Sequence, residues 1–213
     1  SDQFSYEKLE DGTICITKYT GKKMTLSIPA KINGLTVSEI GDYVFSENRT
    51  VQSVEIPDTV TSLGNYTFAD SAIRSISGGH NISSIGEGCF VRARSLANIK
   101  FLTGIKEIPT YTFSQCSALT EVEIPEGVEK IGDFAFYDDT YLQNLIIPES
   151  VVAIGTEAFT ECPKLKAVNV PGTLEKLDEN IFDQTTKINY IAVKMLKILE
   201  LKQVTKSSVH LKW

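Results

Sequence analysis

Few residues in this chain could do chemistry, and their spacing argues against a reaction centre. Glu121 and Glu123 stand two apart in LTEVEIP, which puts both carboxylates on one face of an extended segment. General acid–base work needs a partner within hydrogen-bonding reach, and neither glutamate has a histidine or nucleophile beside it in sequence. They read as a solvated face. His80 and His210 are the only histidines, and Cys15, Cys89, Cys116 and Cys162 form no C-x-x-C pair. Zinc sites draw on ligand pairs at short spacing, so no metal or cofactor is expected. The cysteines read as small buried hydrophobes with free thiols. No G-x-S-x-G turn, phosphate-cradling glycine loop or H-E-x-x-H pair occurs, and the expectation is a protein that is not an enzyme.

The composition narrows the partners. The chain has 213 residues, is 42% hydrophobic and carries a formal net charge of -6, enough to bury one sizeable core. Nucleic-acid binding needs a basic stripe, which an acidic balance disfavours. No apolar run approaches the roughly 18 residues of a membrane span, so no membrane insertion is expected in this segment. The start, SDQFSYEKLEDG, is polar and acidic and unlike a leader; the same start is expected after removal of one.

The elements that must position any site come from a repeat. Phenylalanines fall at Phe45, Phe68, Phe90, Phe113, Phe136, Phe159 and Phe182, spaced 23, 22, 23, 23, 23 and 23 residues apart. An aliphatic stands five residues before each, at Ile40, Leu63, Ile85, Ile108, Ile131, Ile154 and Leu177, and glycine follows five of these seven. Short alternating runs lie upstream, such as VEIP ending at Pro125 and LIIP ending at Pro148. Within a coil, Val122 and Ile124 point inward and Glu121 and Glu123 outward. Proline, which cannot donate to a ladder, ends the strand, glycine permits a sharp turn, and one helical turn carries the phenylalanine inward. A fixed period of this length marks a stacked solenoid whose coils share one core. Coils about 4.8 Å apart would make a rod on the order of 35 Å long. Two coils break the pattern: the third has Ser77-Gly78-Gly79-His80 in place of its corner proline, and the fourth has Pro109 at the glycine position. Both are candidate local bends.

The pattern IPxxVxxIGxxAFxxCxxL at Ile124 to Leu142 and Ile147 to Leu165 resembles the BspA-like leucine-rich repeats of bacterial surface proteins, over roughly residues 24–190. The match weakens where the cysteine position is read as Asp70, Asp139 or Gln184, and where Val44, Thr67 and Thr112 replace alanine. The fold expected is a leucine-rich repeat solenoid, right-handed and β-rich with short helical turns, of about seven coils of 23 residues. Residues 1–23, with an Asp11-Gly12 turn, resemble the N-terminal β-hairpin cap that opens such arrays. The resemblance implies an extracellular or cell-surface location and adhesion to an extracellular host protein or glycan. The alternative is a rigid spacer that presents other domains of a larger surface protein.

Residues 191–213 carry five Lys and one Glu, a net +4 that leaves residues 1–190 at -10. The change in charge sets a boundary. The alternation of Val209, Leu211 and Trp213 is similar to the opening strands of a fibronectin type III-like module, and a terminal cap of the solenoid fits equally. In either case the tail's strands are expected to pair, on the last coil or with a neighbouring chain. For recognition, stacking lines up one position per coil: Tyr43, Tyr66, Gly88, Tyr111, Phe134, Glu157 and Asn180. The core role is already filled two residues later by phenylalanine, and a position that tolerates Glu157 lies at the surface. Tyr43, Tyr66, Tyr111 and Phe134 are therefore the candidate partner-binding residues, interrupted at Gly88.

Overall fold

The computed structural model describes residues 3–174, 177–178 and 180–190. The expectations for residues 191–213, including strand pairing, a fibronectin-like start and contact between chains, lie outside the described residues. The chain opens with an antiparallel hairpin of β1 (Phe4–Lys8) and β2 (Ile14–Tyr19), turned at Gly12 with φ 85°. Asp11 Oδ1 accepts the Thr13 N–H at 2.9 Å and so closes the turn. The coils then contribute β3 (Thr25–Ser27), β4 (Lys31–Ile32), β5 (Leu35–Ile40), β6 (Ser53–Ile56), β7 (Ser62–Leu63), β8 (Ser75–Gly78) and β9 (Ser84–Ile85). They continue with β10 (Glu107–Ile108), β11 (Glu121–Glu123), β12 (Lys130–Ile131), β13 (Asn144–Ile146), β14 (Ala153–Ile154), β15 (Ala167–Val170) and β16 (Lys187–Tyr190).

Two strand stacks run along the rod, both parallel within the coils. The main stack joins β3-β6-β8 and, beyond a gap, β11-β13-β15-β16. The second joins β2-β5-β7-β9 and, beyond the same gap, β10-β12-β14. Coil four has no strand in the main stack, so the array has eight rungs where the repeat count predicts about seven. The interruption falls where the sequence departs from its pattern. Gly78 and Gly79 both adopt left-handed φ, 68° and 63°, and Gly79 N–H donates to Ile56 O at 2.7 Å. The chain leaves the third rung through a corner that β-carbons would obstruct, and the Lys100–Gly104 loop follows in coil four.

Inside, the seven phenylalanines form one spine. Adjacent ring centroids from Phe45 to Phe182 stand 5.0–5.4 Å apart, with planes within 20° of parallel. All seven are buried. The hairpin extends the spine, because Tyr19 packs on Phe45 at 5.4 Å and Phe4 on Tyr19 at 5.1 Å. The cap therefore joins the core as well as covering its end.

Two local expectations need correction. No helical turn carries the phenylalanine: the described residues contain no helix, and the segment after each glycine is a run of turns with left-handed residues. The repeat glycines serve close approach and not positive φ. A β-carbon on Gly64, Gly132 or Gly155 would stand 2.5 Å from the backbone nitrogen of Asp42, Thr110 or Asp133 in the coil before. The cysteine register also shifts by one at Asp70. The residue equivalent to Cys116, whose N–H donates to the carbonyl of the spine phenylalanine, is Ser71, buried with its hydroxyl on Phe68 O at 2.7 Å.

Candidate functional site: the aromatic turn edge

The column residues Tyr43, Tyr66, Gly88, Tyr111, Phe134 and Glu157 all sit at left-handed φ, between 53° and 59°. Four residues on, Glu47, Asp70, Arg92, Gln115, Asp138 and Glu161 are also left-handed, at 53–60°. For a residue with a β-carbon this region costs roughly 1–2 kcal/mol, so a compensating interaction must recur. It does. In this geometry alternate N–H groups point at the next coil: Tyr43 to Asn65 O at 3.0 Å, Phe45 to Thr67 O at 2.8 Å and Glu47 to Ala69 O at 2.8 Å. The pattern continues across the gap in the strand stacks, where Gly88, Phe90 and Arg92 donate to Thr110, Thr112 and Ser114 at 2.8–3.0 Å. The turn edge is thus a third ladder that bridges the gap.

Asx side chains tighten the same edge. Asp42 Oδ1 accepts the Asn65 N–H at 2.7 Å, Asn65 Oδ1 the Glu87 N–H at 2.9 Å, and Asp133 Oδ1 the Thr156 N–H at 2.8 Å. Each lies one residue before the column. In the second left-handed column Arg92 Nε meets Asp70 Oδ2 at 2.7 Å and Gln115 Nε2 donates to Asp138 Oδ2 at 2.9 Å.

The four candidate residues lie in line and come together as two pairs. Tyr43 stacks on Tyr66 at 5.3 Å and 10°, and Tyr111 on Phe134 at 5.0 Å and 9°. Tyr43 is 59% exposed and Tyr111 38%, while Tyr66 and Phe134 are half-buried. Gly88 separates the pairs, and the Tyr66 ring leans over it so closely that a β-carbon there would overlap the ring. Sequence reasoning missed Tyr137, which meets Phe134 edge-on at 5.7 Å and 75°. No repeat position signalled it, since it follows the spine phenylalanine in one coil only.

Carboxylates act on two phenols along this edge. The Tyr66 hydroxyl donates to Glu87 Oε1 at 3.3 Å. Burial first, then the Glu87 charge, pushes the Tyr66 phenol above its ordinary range. Burial, followed by Glu161, Asp138 and Glu157, does the same to Tyr137.

The other chemistry-bearing residues lie apart. Glu121 and Glu123 are exposed on the strand face, as the alternation predicts. His80 Nδ1 and its backbone N–H both meet the exposed Asp58 Oδ1, at 2.8 and 3.1 Å, which holds that carboxyl below its usual range. The four cysteines are free and buried. Among the described residues no group of three or more His, Cys, Asp or Glu side chains could hold a metal ion, and no helix is long and apolar enough to cross a membrane.

The profile of the BspA type leucine rich repeat region, in six copies, matches residues 25–138 and 106–203. The chain belongs to this family. The BspA-type match runs past residue 190, where the sequence pattern places the end of the solenoid. Among solved structures, a leucine rich cell surface protein from Faecalibacterium prausnitzii A2-165 is similar with a TM-score of 0.77 and 29% identity. That likeness covers 89% of this chain and 53% of that one, so the chain spans about half the relative's length. The T. pallidum Leucine Rich Repeat protein is similar with a TM-score of 0.50 and 23% identity over 95% of this chain and 94% of that one, a likeness of fold. No curated protein sequence matches significantly.

Proposed function

We propose that this BspA-type solenoid is a non-enzymatic binding module of an extracellular or cell-surface protein, and that its turn edge meets a protein or glycan partner. The observation that carries the reading is the pair of stacked, solvent-facing aromatic stations, Tyr43 with Tyr66 and Tyr111 with Phe134. The same backbone positions accept Glu157 and Asn180 further along, so the fold does not require rings there. Tyrosine offers a flat apolar face and a hydroxyl at low entropic cost, which suits recognition. The cell-surface description of the F. prausnitzii relative supports the location. In this reading residues 1–23 cap the array, 24–190 form the binding solenoid and 191–213 are an extended tail, either cap strands or the start of a fibronectin type III-like module.

A second reading is a rigid spacer that presents other domains of a larger surface protein, favoured by the unbroken phenylalanine spine. One experiment separates the two. Tyr43→Asn with Tyr66→Asn keeps a residue type that tolerates left-handed φ. The binding reading expects an unfolding midpoint within a few degrees of the parent and lost capture on an array of extracellular-matrix proteins and glycans. No saturable capture by the parent would favour the spacer, and capture retained by the variant would place the binding away from these rings.

A further inference from the structure

Coil four leaves an opening in the strand face. In a parallel ladder successive residues turn their backbone groups to opposite neighbours. Thr120 O accepts the Asn144 N–H and Ile124 N–H donates to Ile146 O, so these alternate residues of coil five face coil six. Glu121 and Glu123, which lie between them, turn their N–H and C=O groups toward coil four. At Ser53, Ser75 and Asn144 the first strand residue donates to the coil before it, over 3.1–3.3 Å. Among the described residues neither the Glu121 nor the Glu123 N–H finds an acceptor in coil four. The cause is local. Asn98 Oδ1 accepts the Lys100 N–H at 3.1 Å, and Ile99 O accepts the Leu102 N–H at 3.1 Å. Coil four therefore turns where its neighbours extend, and the Ile99 carbonyl that the Glu123 N–H would meet is engaged in that turn.

Between the two coils lies a crevice of about 110 Å³, with Asn98, Ile99 and Lys100 on one wall and Glu121, Val122 and Glu123 on the other. Ile99 and Val122 are buried and supply an apolar floor, while the other four side chains are exposed at the rim. Ile146, 59% exposed, continues the rim onto coil six beside Asn144. A strand cannot be added here, because an added rung needs about 4.8 Å to itself and coil four already occupies that level. A dry cavity of about 150 Å³ takes up benzene, so the group that enters this smaller crevice is small. It brings an acceptor for the unpaired N–H groups and an apolar part for the floor. Carboxylates at the rim repel an anion, so the acceptor is neutral. An acetamido group meets these conditions: its methyl suits the floor and its carbonyl suits the N–H groups. Its own N–H points the opposite way across the planar amide, toward acceptors at the rim. A pyranose ring bearing it would meet the Asn98 and Asn144 side chains with its hydroxyls and Ile146 with its apolar face.

We propose that the crevice between coil four and Glu121–Glu123 is a subsite for the acetamido group of an N-acetylhexosamine in a glycan, with the Glu123 N–H donating to its carbonyl. The subsite lies on the strand face, apart from the aromatic turn edge, and does not depend on that edge being a binding site. A neighbouring cleft lined by Glu121, Asn144, Asn169 and Asn189 continues along the same face and offers amides to further sugars of the chain.

The test titrates the full chain with three probes: N-acetylchitotriose, cellotriose, which replaces each acetamido group with hydroxyl, and the capped tripeptide acetyl-Gly-Gln-Gly-amide. Backbone amide resonances of Glu121 and Glu123 are followed together with the tyrosine ring resonances. N-acetylchitotriose is expected to saturate, to bind about tenfold or more tightly than cellotriose and to move the Glu123 amide proton downfield. Ile146→Asp is expected to weaken it about fivefold or more, and Glu55→Gln, in coil two, to leave it unchanged. Equal binding of the two trisaccharides, or undiminished binding by Ile146→Asp, would overturn the subsite. The tripeptide binding as tightly as N-acetylchitotriose would assign the crevice to protein amides and overturn the glycan. Saturation that moves the tyrosine rings and leaves the Glu121 and Glu123 amides in place would overturn the subsite while leaving the turn edge standing. No response of either amide to any probe would overturn it as well.

Discussion

Asp139 is the residue least suited to its surroundings. It takes the place that Cys116 and Cys162 hold in neighbouring coils and is fully buried. Oδ1 accepts the Cys116 N–H at 2.7 Å, while Oδ2 is buried without a hydrogen-bond partner. Burial, with a smaller contribution from the Asp138 charge, holds this carboxyl well above its ordinary range, against the bond from Cys116 that favours the anion. The Cys162 thiol turns toward this coil, donating to Phe136 O at 3.3 Å, while the Cys116 thiol turns away to Phe90 O at 3.1 Å, and neither supplies positive charge. A raised carboxyl favours the folded state in full below the ordinary value of about 4, and that contribution is lost as pH climbs through the raised value. Asp139→Asn should therefore stabilise the fold by about 1–3 kcal/mol at neutral pH. Denaturant melts from pH 4 to 8 should show the gain shrink toward the acid end; a gain independent of pH would place the carboxyl elsewhere. Burial likewise pushes the Cys15 thiol up to about 11 and the Cys89 thiol up to about 12. Thiolate is the reactive form, so alkylation of native protein at neutral pH should be slow at all four cysteines and complete only in denaturant, as mass spectrometry would show.

The element that matters most is the turn segment, with its two left-handed residues per coil. Glu47 is exposed at φ 58°. Glycine there relieves a left-handed penalty of roughly 1–2 kcal/mol and adds about 0.5–1 kcal/mol of unfolded-state entropy. Glu47→Gly should therefore stabilise the chain by a few tenths to about 1 kcal/mol, the reverse of the usual effect of a new glycine. A measured loss would mean that the segment relaxes in solution. This element is also where the sequence was least legible. Tyr, Phe, Glu and Arg do not advertise positive φ, and their spacing after glycine imitates a helical turn. Only Gly88, in the same column, carries the signal, and one glycine among seven coils reads as an interruption. The spine was legible because phenylalanine recurs at 22 or 23 residues and nothing else can fill a coil's centre. Tyr19 and Tyr137 obey no period, so the extended spine and the edge-on ring at the second station needed coordinates.

At the scale of the whole molecule, stability rests on one continuous stack. Phe136 is fully buried between Phe113 at 5.2 Å and Phe159 at 5.1 Å. Phe136→Ala removes both contacts and should cost about 3–5 kcal/mol by chemical denaturation; a loss below about 1 kcal/mol would place Phe136 outside the core. Hydrogen exchange should then map the three ladders. Phe90 and Arg92, bonded across the gap to Thr112 and Ser114, should exchange slowly, and the exposed amides of Thr103 and Gly104 in the loop of coil four should exchange quickly.

The gap also gives the rod a mechanical polarity. Both strand stacks part between the third and fourth coils, while the turn ladder and the spine cross that level unbroken. A beam fastened along one side bends by fanning open on the other, and its neutral axis shifts to the fastened side. Here that side carries the aromatic stations. Thermal bending would spread the strand face at coil four and leave the pitch of the turn edge nearly constant. The rod can be compliant there while the graduations along its aromatic edge keep their spacing.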